Sequence, residues 1–292
     1  MTTTPQASAP AAPAAGFEVD PTLPGPSLGR AFSSEFAKLL ALRTTWWLSG
    51  TTIALGLFLA GAVAFSLQYV QNTSESGPPE AAAVAGQGTA GVTFAMILLG
   101  SLGVISITTE FTSGAIRSSL TAVPTRSLLM GAKMLALTVW TGLVTAVLIL
   151  LSHLLVALIA DPLPISAIVT DADVAVIYLT SWVAVVLTAI MGFGLGTLLR
   201  SSAGAIVTLA VILFVLQIVL SIMWGVSGQA DWAETLMRME YMFLVGEFTS
   251  QPGAQPGFGA EPLQRWQAGL GMLAWVGVPL VAGWVSFTRR DS

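Results

Sequence analysis

His153 is the only histidine in the sequence, and cysteine is absent. Those counts remove thiol catalysis, disulfides and cysteine-bound metals, and they leave a histidine-based zinc site short of ligands. Neither G-x-x-x-x-G-K-[ST], whose loop cradles nucleotide phosphates, nor the zinc-binding H-E-x-x-H occurs. His153 lies inside an apolar run. An ionisable side chain there suits a proton relay; it equally suits a neutral, hydrogen-bonded packing role. Both readings stand. Gln217, in another apolar run, divides in the same way between an interhelical hydrogen bond and a substrate contact.

The remaining candidate chemistry is charge, and charge is scarce. Only 9% of the residues are Asp, Glu, Lys or Arg, while 54% are hydrophobic. Soluble domains average about 25% charged residues. The composition is that of an integral membrane protein. Against this background Thr108–Lys133 stands out, with Glu110, Arg117, Arg126 and Lys133 between two uncharged runs. Thr112 or Ser113 is placed to cap a short helix there. Ala115, Ile116, Ser119 and Leu120 would form its apolar side, Arg117 would project elsewhere, and Pro124 would end it. Such a helix fits a groove on a soluble partner. A plain connecting loop whose basic residues only set topology fits equally well.

Six segments are long and apolar enough to cross about 30 Å of hydrocarbon, which takes about 20 residues. They are Thr45–Val70, Thr89–Thr109, Met134–Ala160, Val174–Leu199, Ser202–Trp224 and Trp266–Thr288, and none contains Asp, Glu, Lys or Arg. With no charged pair or relay in any span, the chain carries no visible energy source of its own. Of the 11 Lys and Arg residues, all but Arg238 and Arg265 fall on one side of these spans, and acidic residues crowd the other. The positive-inside rule then puts both termini in the cytoplasm.

Residues 1–28 are rich in Ala, Pro, Ser and Thr and lack the basic start and apolar core of a secretory signal. They read as a disordered, uncleaved cytoplasmic tail ahead of a transmembrane domain, 29–292. Arg30–Trp47 has helical apolar spacing, with Phe36 on the apolar side and Lys38 and Arg43 among the charges. Trp46 and Trp47 fall at headgroup level. This is an amphipathic helix in the membrane interface, or an ordinary first cytoplasmic helix. Trp232, Leu236, Met239 and Phe243 recur at helical spacing, and Glu234 and Arg238 form an i,i+4 pair. Asp231–Phe248 therefore reads as one external helix on or dipping into the outer leaflet, or else as an apolar loop. Gly192 and Gly196 form a G-x-x-x-G, which either brings two helices together or only scatters glycine through a loose one.

Three stretches carry a resemblance. The opening Ser34-Glu35-Phe36-x-Lys38-Leu39, followed by Arg43-Thr44-Thr45-Trp46-Trp47, is similar to the SEWxKLxxxRSTWW start of one permease family. The central loop resembles that family's E[YF]xxGxIRxxLxxxPxRxxxxxxK through Glu110, Phe111, Gly114, Ile116, Arg117, Leu120, Pro124, Arg126 and Lys133. The end, Phe287-x-Arg289-Arg290-Asp291, resembles its RRDA-like tail. Gly192-x-Gly194-x-Gly196 running into Leu199-Arg200-Ser201 fits its fourth helix. The family is the membrane subunit of ABC-2 type ABC exporters, in the style common among actinobacteria, and the likeness covers about residues 30–292.

The resemblance implies an all-α polytopic membrane protein of six transmembrane helices. It adds an N-terminal interfacial amphipathic helix, a cytoplasmic coupling helix between helices 2 and 3, and an external helical segment between helices 5 and 6. It makes Glu110–Arg126 the contact for an ABC ATPase subunit, with ATP and Mg held by that partner and no cofactor on this chain. It implies a homodimer, or a heterodimer with a second permease, in the plasma membrane, and no nucleic acid. The expected function is export of a hydrophobic or amphipathic drug, peptide or lipid. The alternative is a non-transporting scaffold or regulator that docks a cytoplasmic partner through the same loop.

Overall fold

The computed structural model describes residues 27–73, 80–115, 125–160, 163–251 and 263–289. These form α1 (Leu28–Ala41), α2 (Arg43–Thr73), α3 (Ala81–Gly88), α4 (Val92–Ser113), α5 (Arg126–Ile159), α6 (Ala167–Thr170), α7 (Ala172–Leu199), α8 (Ser202–Ala210), α9 (Leu216–Val226), α10 (Asp231–Arg238), α11 (Tyr241–Thr249) and α12 (Arg265–Arg289). A 3-10 turn, Thr89–Gly91, joins α3 to α4, and a π-helical stretch, Val211–Val215, joins α8 to α9. The protein is an all-α polytopic membrane protein, with six helices long and apolar enough to span a bilayer. Residues 1–26, on which the proposed tail falls, lie outside the described residues.

The second span runs from Ala81 rather than Thr89, since Ala82, Val84 and Ala85 are buried and keep that stretch helical despite its glycines. The third starts at Arg126, so Arg126 and Lys133 already stand on its opening turns. Gly114, at φ +72, closes α4 in the left-handed conformation that glycine adopts at least cost. Thr112 lies within α4, and its hydroxyl donates back to the Thr108 carbonyl; the short helix expected after it lies outside the described residues. The Ser113 hydroxyl accepts from the Ala115 N–H (3.4 Å).

α7 and α4 form the centre of the bundle: 61% of the most apolar stretch of α7 and 67% of that of the span holding α4 are buried, against 11% for the fifth span. Small residues make that possible. A Cβ on Gly192 would stand 2.1 Å from the Gly100 carbonyl oxygen, and one on Gly103 would stand 2.2 Å from that of Ala189. Gly196 faces Val104 and Ile107 on the same seam. On the other side of α7, Gly194 lies against Pro279 and Leu280, and Gly283 against the Gly194 carbonyl. Glycine two residues apart thus lets α7 take α4 on one face and α12 on another. The fifth span follows α7 and α4 along α8 and then parts from them. Val211, Val215, Ile218, Val219 and Ile222 are exposed, and so is Gln217.

The segment between the fifth and sixth spans departs from a single external helix. Glu240 breaks it, accepting from the Met242 and Phe243 N–H groups (2.9 and 2.8 Å) as the N-cap of a new helix. α10 and α11 form a hairpin whose tip reaches the middle of the bundle. Tyr241, fully buried, shares a 2.8 Å hydrogen bond with Thr188 of α7, and Trp275, midway along α12, donates to the Met239 carbonyl (2.8 Å). At the other end of α11, Arg265 donates to the carbonyls of Phe248 (3.1 Å) and Ser250 (2.9 Å). The Glu234–Arg238 pair is present at 3.7 Å.

Candidate functional site

The charges singled out in the sequence gather at the end of the bundle that carries α1, the α7–α8 turn and the end of α12, here called the basic end. α1 is capped at its start by Ser27, whose hydroxyl accepts from the Arg30 N–H. Its buried residues are Ala31, Glu35 and Leu39, one turn apart. Glu35 therefore faces inward with the apolar residues, not outward with the other charges as amphipathic spacing suggests. Phe36 is half-buried with its ring edge on Trp140 (6.2 Å), and Trp46 meets the same ring at 5.2 Å. Lys38, Arg43, Trp46 and Trp47 are exposed.

The reason for the inward glutamate is Lys133. Its ammonium, nearly buried on α5, donates to Glu35 of α1 and to Glu110 of α4 (2.7 Å to the latter). Lys38 donates to the other Glu35 oxygen at 2.6 Å and stands 3.6 Å from Glu110. Burial pushes the Glu35 carboxyl up, but Lys133 and Lys38 together outweigh it and hold it below its ordinary 4.5. Burial pushes the Lys38 ammonium down, and Glu35, with Glu110 behind it, more than reverses that and raises it above 10.5. Removing one member of such a cluster leaves an uncompensated buried charge, a cost of about 3–5 kcal/mol.

Phe111 and Arg126 complete the basic end. The Phe111 ring stacks edge-on against Phe287 of α12 (6.2 Å) and lies 5.1 Å beneath the Arg200 guanidinium. Arg200 sits in the α7–α8 turn with a left-handed φ of 52. Arg126 donates to the carbonyls of Phe287 (3.2 Å) and Thr288 (3.3 Å), satisfying the last turn of α12. So the four residues flanking the segment between α4 and α5 hold every neighbouring element. Glu110 and Lys133 bind α1 and each other, Phe111 holds the α7–α8 turn and α12, and Arg126 holds α12. Gly114 ends the first flank. Ile116, Arg117, Leu120 and Pro124 lie outside the described residues.

Elsewhere, His153 is buried on α5 with both ring nitrogens engaged. Nε2 lies 3.0 Å from the Ile165 carbonyl, which only accepts, so the proton is assigned to Nε2. Nδ1 then accepts from the Tyr178 hydroxyl at 2.9 Å. A neutral imidazole meets both partners. Gln217 is exposed on α9, and among the described residues its side-chain amide makes no hydrogen bond. Two residues escaped sequence reasoning. Glu35 was read as part of a motif rather than as an ion-pair partner, and Glu240 puts a carboxylate, 1% exposed, at the hairpin tip. Its signal was an acidic residue just ahead of the apolar run Tyr241–Val245. Cavities of about 540 and 450 Å³ lie on either side of Trp275. The first is bordered by Thr235, Arg238 and Gln267, the second by Leu195, Leu198 and Ile212.

Six spans packed about a glycine-lined seam, with an ion cluster at one end, define a multi-pass membrane protein. The chain belongs to the ABC-2 family transporter proteins, whose pattern matches residues 32–292. It is accordingly the permease type of subunit in an ABC transporter, a membrane transport component. A search of curated proteins gives no match.

Proposed function

We propose that the chain is the membrane subunit of an ATP-driven exporter in the plasma membrane, with both termini cytoplasmic, working as a dimer of permeases on two ABC ATPase subunits. The ATPases hold ATP and Mg. Their closure reaches this chain through the segment between α4 and α5, with Ile116, Arg117, Leu120 and Pro124 making the contact. Glu110, Phe111, Gly114 and Arg126 hold its margins. The observation that carries this reading is the bridge beneath that segment, where Lys133 ties Glu110 to Glu35. A push on the segment then moves α1, α4, α5 and α12 together as rigid bodies rather than bending a loose loop. Binding of a partner shifts a two-state equilibrium only if its contacts differ between the states; the brace passes such a difference on to the helices it joins.

The substrate class is hydrophobic or amphipathic. The support is the pair of cavities beside Trp275, one apolar and one edged by Arg238 and Gln267. Co-expression with an ABC ATPase tests the assignment. The two should co-purify, and Arg117→Glu should break the complex while leaving the membrane subunit folded. Intact assembly and intact ATP-dependent transport in Arg117→Glu would overturn the coupling role. Orientation is tested separately, since the sequence has no cysteine. Ser33→Cys should resist, and Gln229→Cys accept, a membrane-impermeant thiol reagent applied from outside.

A further inference from the structure

Two cavities along α12 share part of their walls. Ala274 and Trp275 line both the one of about 540 Å³ and the one of about 450 Å³. Each lies within the range of about 300–1,000 Å³ that holds small ligands. Their chemistry differs. The first carries Thr235 and Arg238 from α10 and Gln267 from α12, and its described lining holds no acidic side chain. The second is apolar, with Leu195, Leu198, Ile212 and Pro279 beside the shared pair. Gln267 and Pro279 are 12 residues apart on α12, about 18 Å of helix. The two cavities thus run from a polar mouth near the start of α12 to an apolar floor. Leu270, Leu273 and Val278 are exposed along the same helix, so the way in is from the side, where hydrocarbon lies.

Arg238 is the unusual member of the polar wall. It ends α10 next to Met239, whose carbonyl accepts from Trp275, ten residues along α12 from Arg265. Ten residues of helix measure about 15 Å, half the hydrocarbon thickness. An ionisable side chain at such depth is costly and marks a functional position. Its guanidinium pairs with Glu234 at 3.7 Å, and Glu234 is not part of the cavity wall. Glu240, the other carboxylate nearby in the hairpin, is 1% exposed and accepts from the Met242 and Phe243 N–H groups. The Arg238 side chain remains 30% exposed. The Gln267 amide oxygen accepts from the Gln264 N–H (2.9 Å), so this residue has its NH2 donor to offer. What enters therefore meets a cation and neutral donors, with hydrocarbon-lined space beyond. A cation in the last turn of α10 also suits the helix dipole, but that role is the same whatever fills the cavity.

We infer that these cavities bind a single-chain anionic amphiphile, with its carboxylate or phosphate at Arg238, Thr235 and Gln267 and its hydrocarbon past Trp275 in the apolar cavity. The planar fork of an arginine suits a head with two anionic oxygens. This narrows the substrate class proposed above and rests on that reading for transport; binding is a property of this chain alone.

The test is native mass spectrometry of the purified full chain in a non-ionic detergent, titrated with palmitate, hexadecyl phosphate, hexadecanol and hexadecyltrimethylammonium. At least one anion should bind about tenfold more tightly than hexadecanol, and the cation more weakly. The tighter anion tells a carboxylate ligand from a phosphate one. Gln267→Glu keeps an acceptor for the Gln264 N–H at an exposed position; it should erase the anion preference at an unchanged melting temperature. Glu234→Gln removes the carboxylate that competes for Arg238 and should tighten anion binding about threefold. A purely structural Arg238 predicts no change in either variant. Arg238→Gln should bring the anions to the level of hexadecanol; if it does not fold, Gln267→Glu and Glu234→Gln decide. Equal binding of anions and alcohol, or an anion preference that survives Gln267→Glu, would overturn the site. An anion preference without ATP-dependent movement of the same amphiphile by the assembled transporter would uphold the site and overturn its role in transport.

Discussion

Where α4 meets α7, glycine brings backbone against backbone; where α1 meets α4 and α5, carboxylates meet ammonium groups. The first seam is held by shape. Gly100, Gly103, Gly192 and Gly196 leave no room for a side chain, and the contact has one way to fit. The second is held by charge among Glu35, Glu110, Lys38 and Lys133. It is directional and pH-dependent, and a partner that changes the local field can bias it. On the proposed function, the first seam is an inert core and the second the joint where force from the ATPase would arrive. The first seam lies between central spans, and the second borders the segment assigned to the ATPase.

The sharpest way to break the contrast is Lys133→Met. It removes the buried ammonium from Glu35 and Glu110, leaving half-exposed Lys38 as the cation for both, and should cost about 3–5 kcal/mol, read as a fall in melting temperature in detergent. Adding Glu35→Gln and Glu110→Gln to it should restore most of the loss, since a neutral set no longer buries unpaired charge. Gly192→Leu comes next, with about 1–3 kcal/mol from overpacking, or more if α4 cannot shift. Its deficit should be independent of pH and salt.

Acid separates the two seams by sign. Glu35 is held below 4.5, so its contribution is fully present above that value and is lost as pH falls through the lower folded value. Lys38 is held above 10.5, so its contribution is full below 10.5 and is lost as pH rises through the higher folded value. The α1 seam should therefore be tightest between roughly pH 5 and 10. It should loosen in acid before the α4–α7 seam does, as followed by tryptophan fluorescence, since Trp46 and Trp140 sit at that joint. The smallest effect belongs to Ile218→Ala. Ile218 is 58% exposed on α9 and should change the stability of the isolated subunit by no more than about 0.5 kcal/mol. A larger change in the assembled transporter than in the isolated chain would mark this face as covered by a second subunit.

The two seams were unequally legible in the sequence. Apolar length alone located all six spans, because nothing else satisfies backbone groups in hydrocarbon so economically. The glycine spacing Gly192-x-Gly194-x-Gly196 announced close approach but not the partner; only the fold shows that alternate glycines serve α4 and α12. The ion cluster was hidden, since Lys133 finds Glu35 at a sequence separation of 98 and Glu110 at 23. No local pattern joins such residues. Glu110 and Arg126 were visible as motif residues, and each turns out to be engaged with its own chain. The break at Glu240 was missed because the apolar period continues across it, from Leu236 to Phe243, while the capping carboxylate resets the backbone.

The hairpin of α10 and α11 also constrains the order in which the chain is made. Its tip takes a hydrogen bond from Trp275 and its far end from Arg265. Both belong to α12, which follows the hairpin in the chain and is synthesised after it. Until α12 is inserted, the Met239, Phe248 and Ser250 carbonyls lack these donors, and the newly made segment has reason to wait at the aqueous surface. Docking of the hairpin is then a closing step of biogenesis. A chain arrested before Arg265 should hold five inserted spans and an undocked, protease-accessible segment behind them.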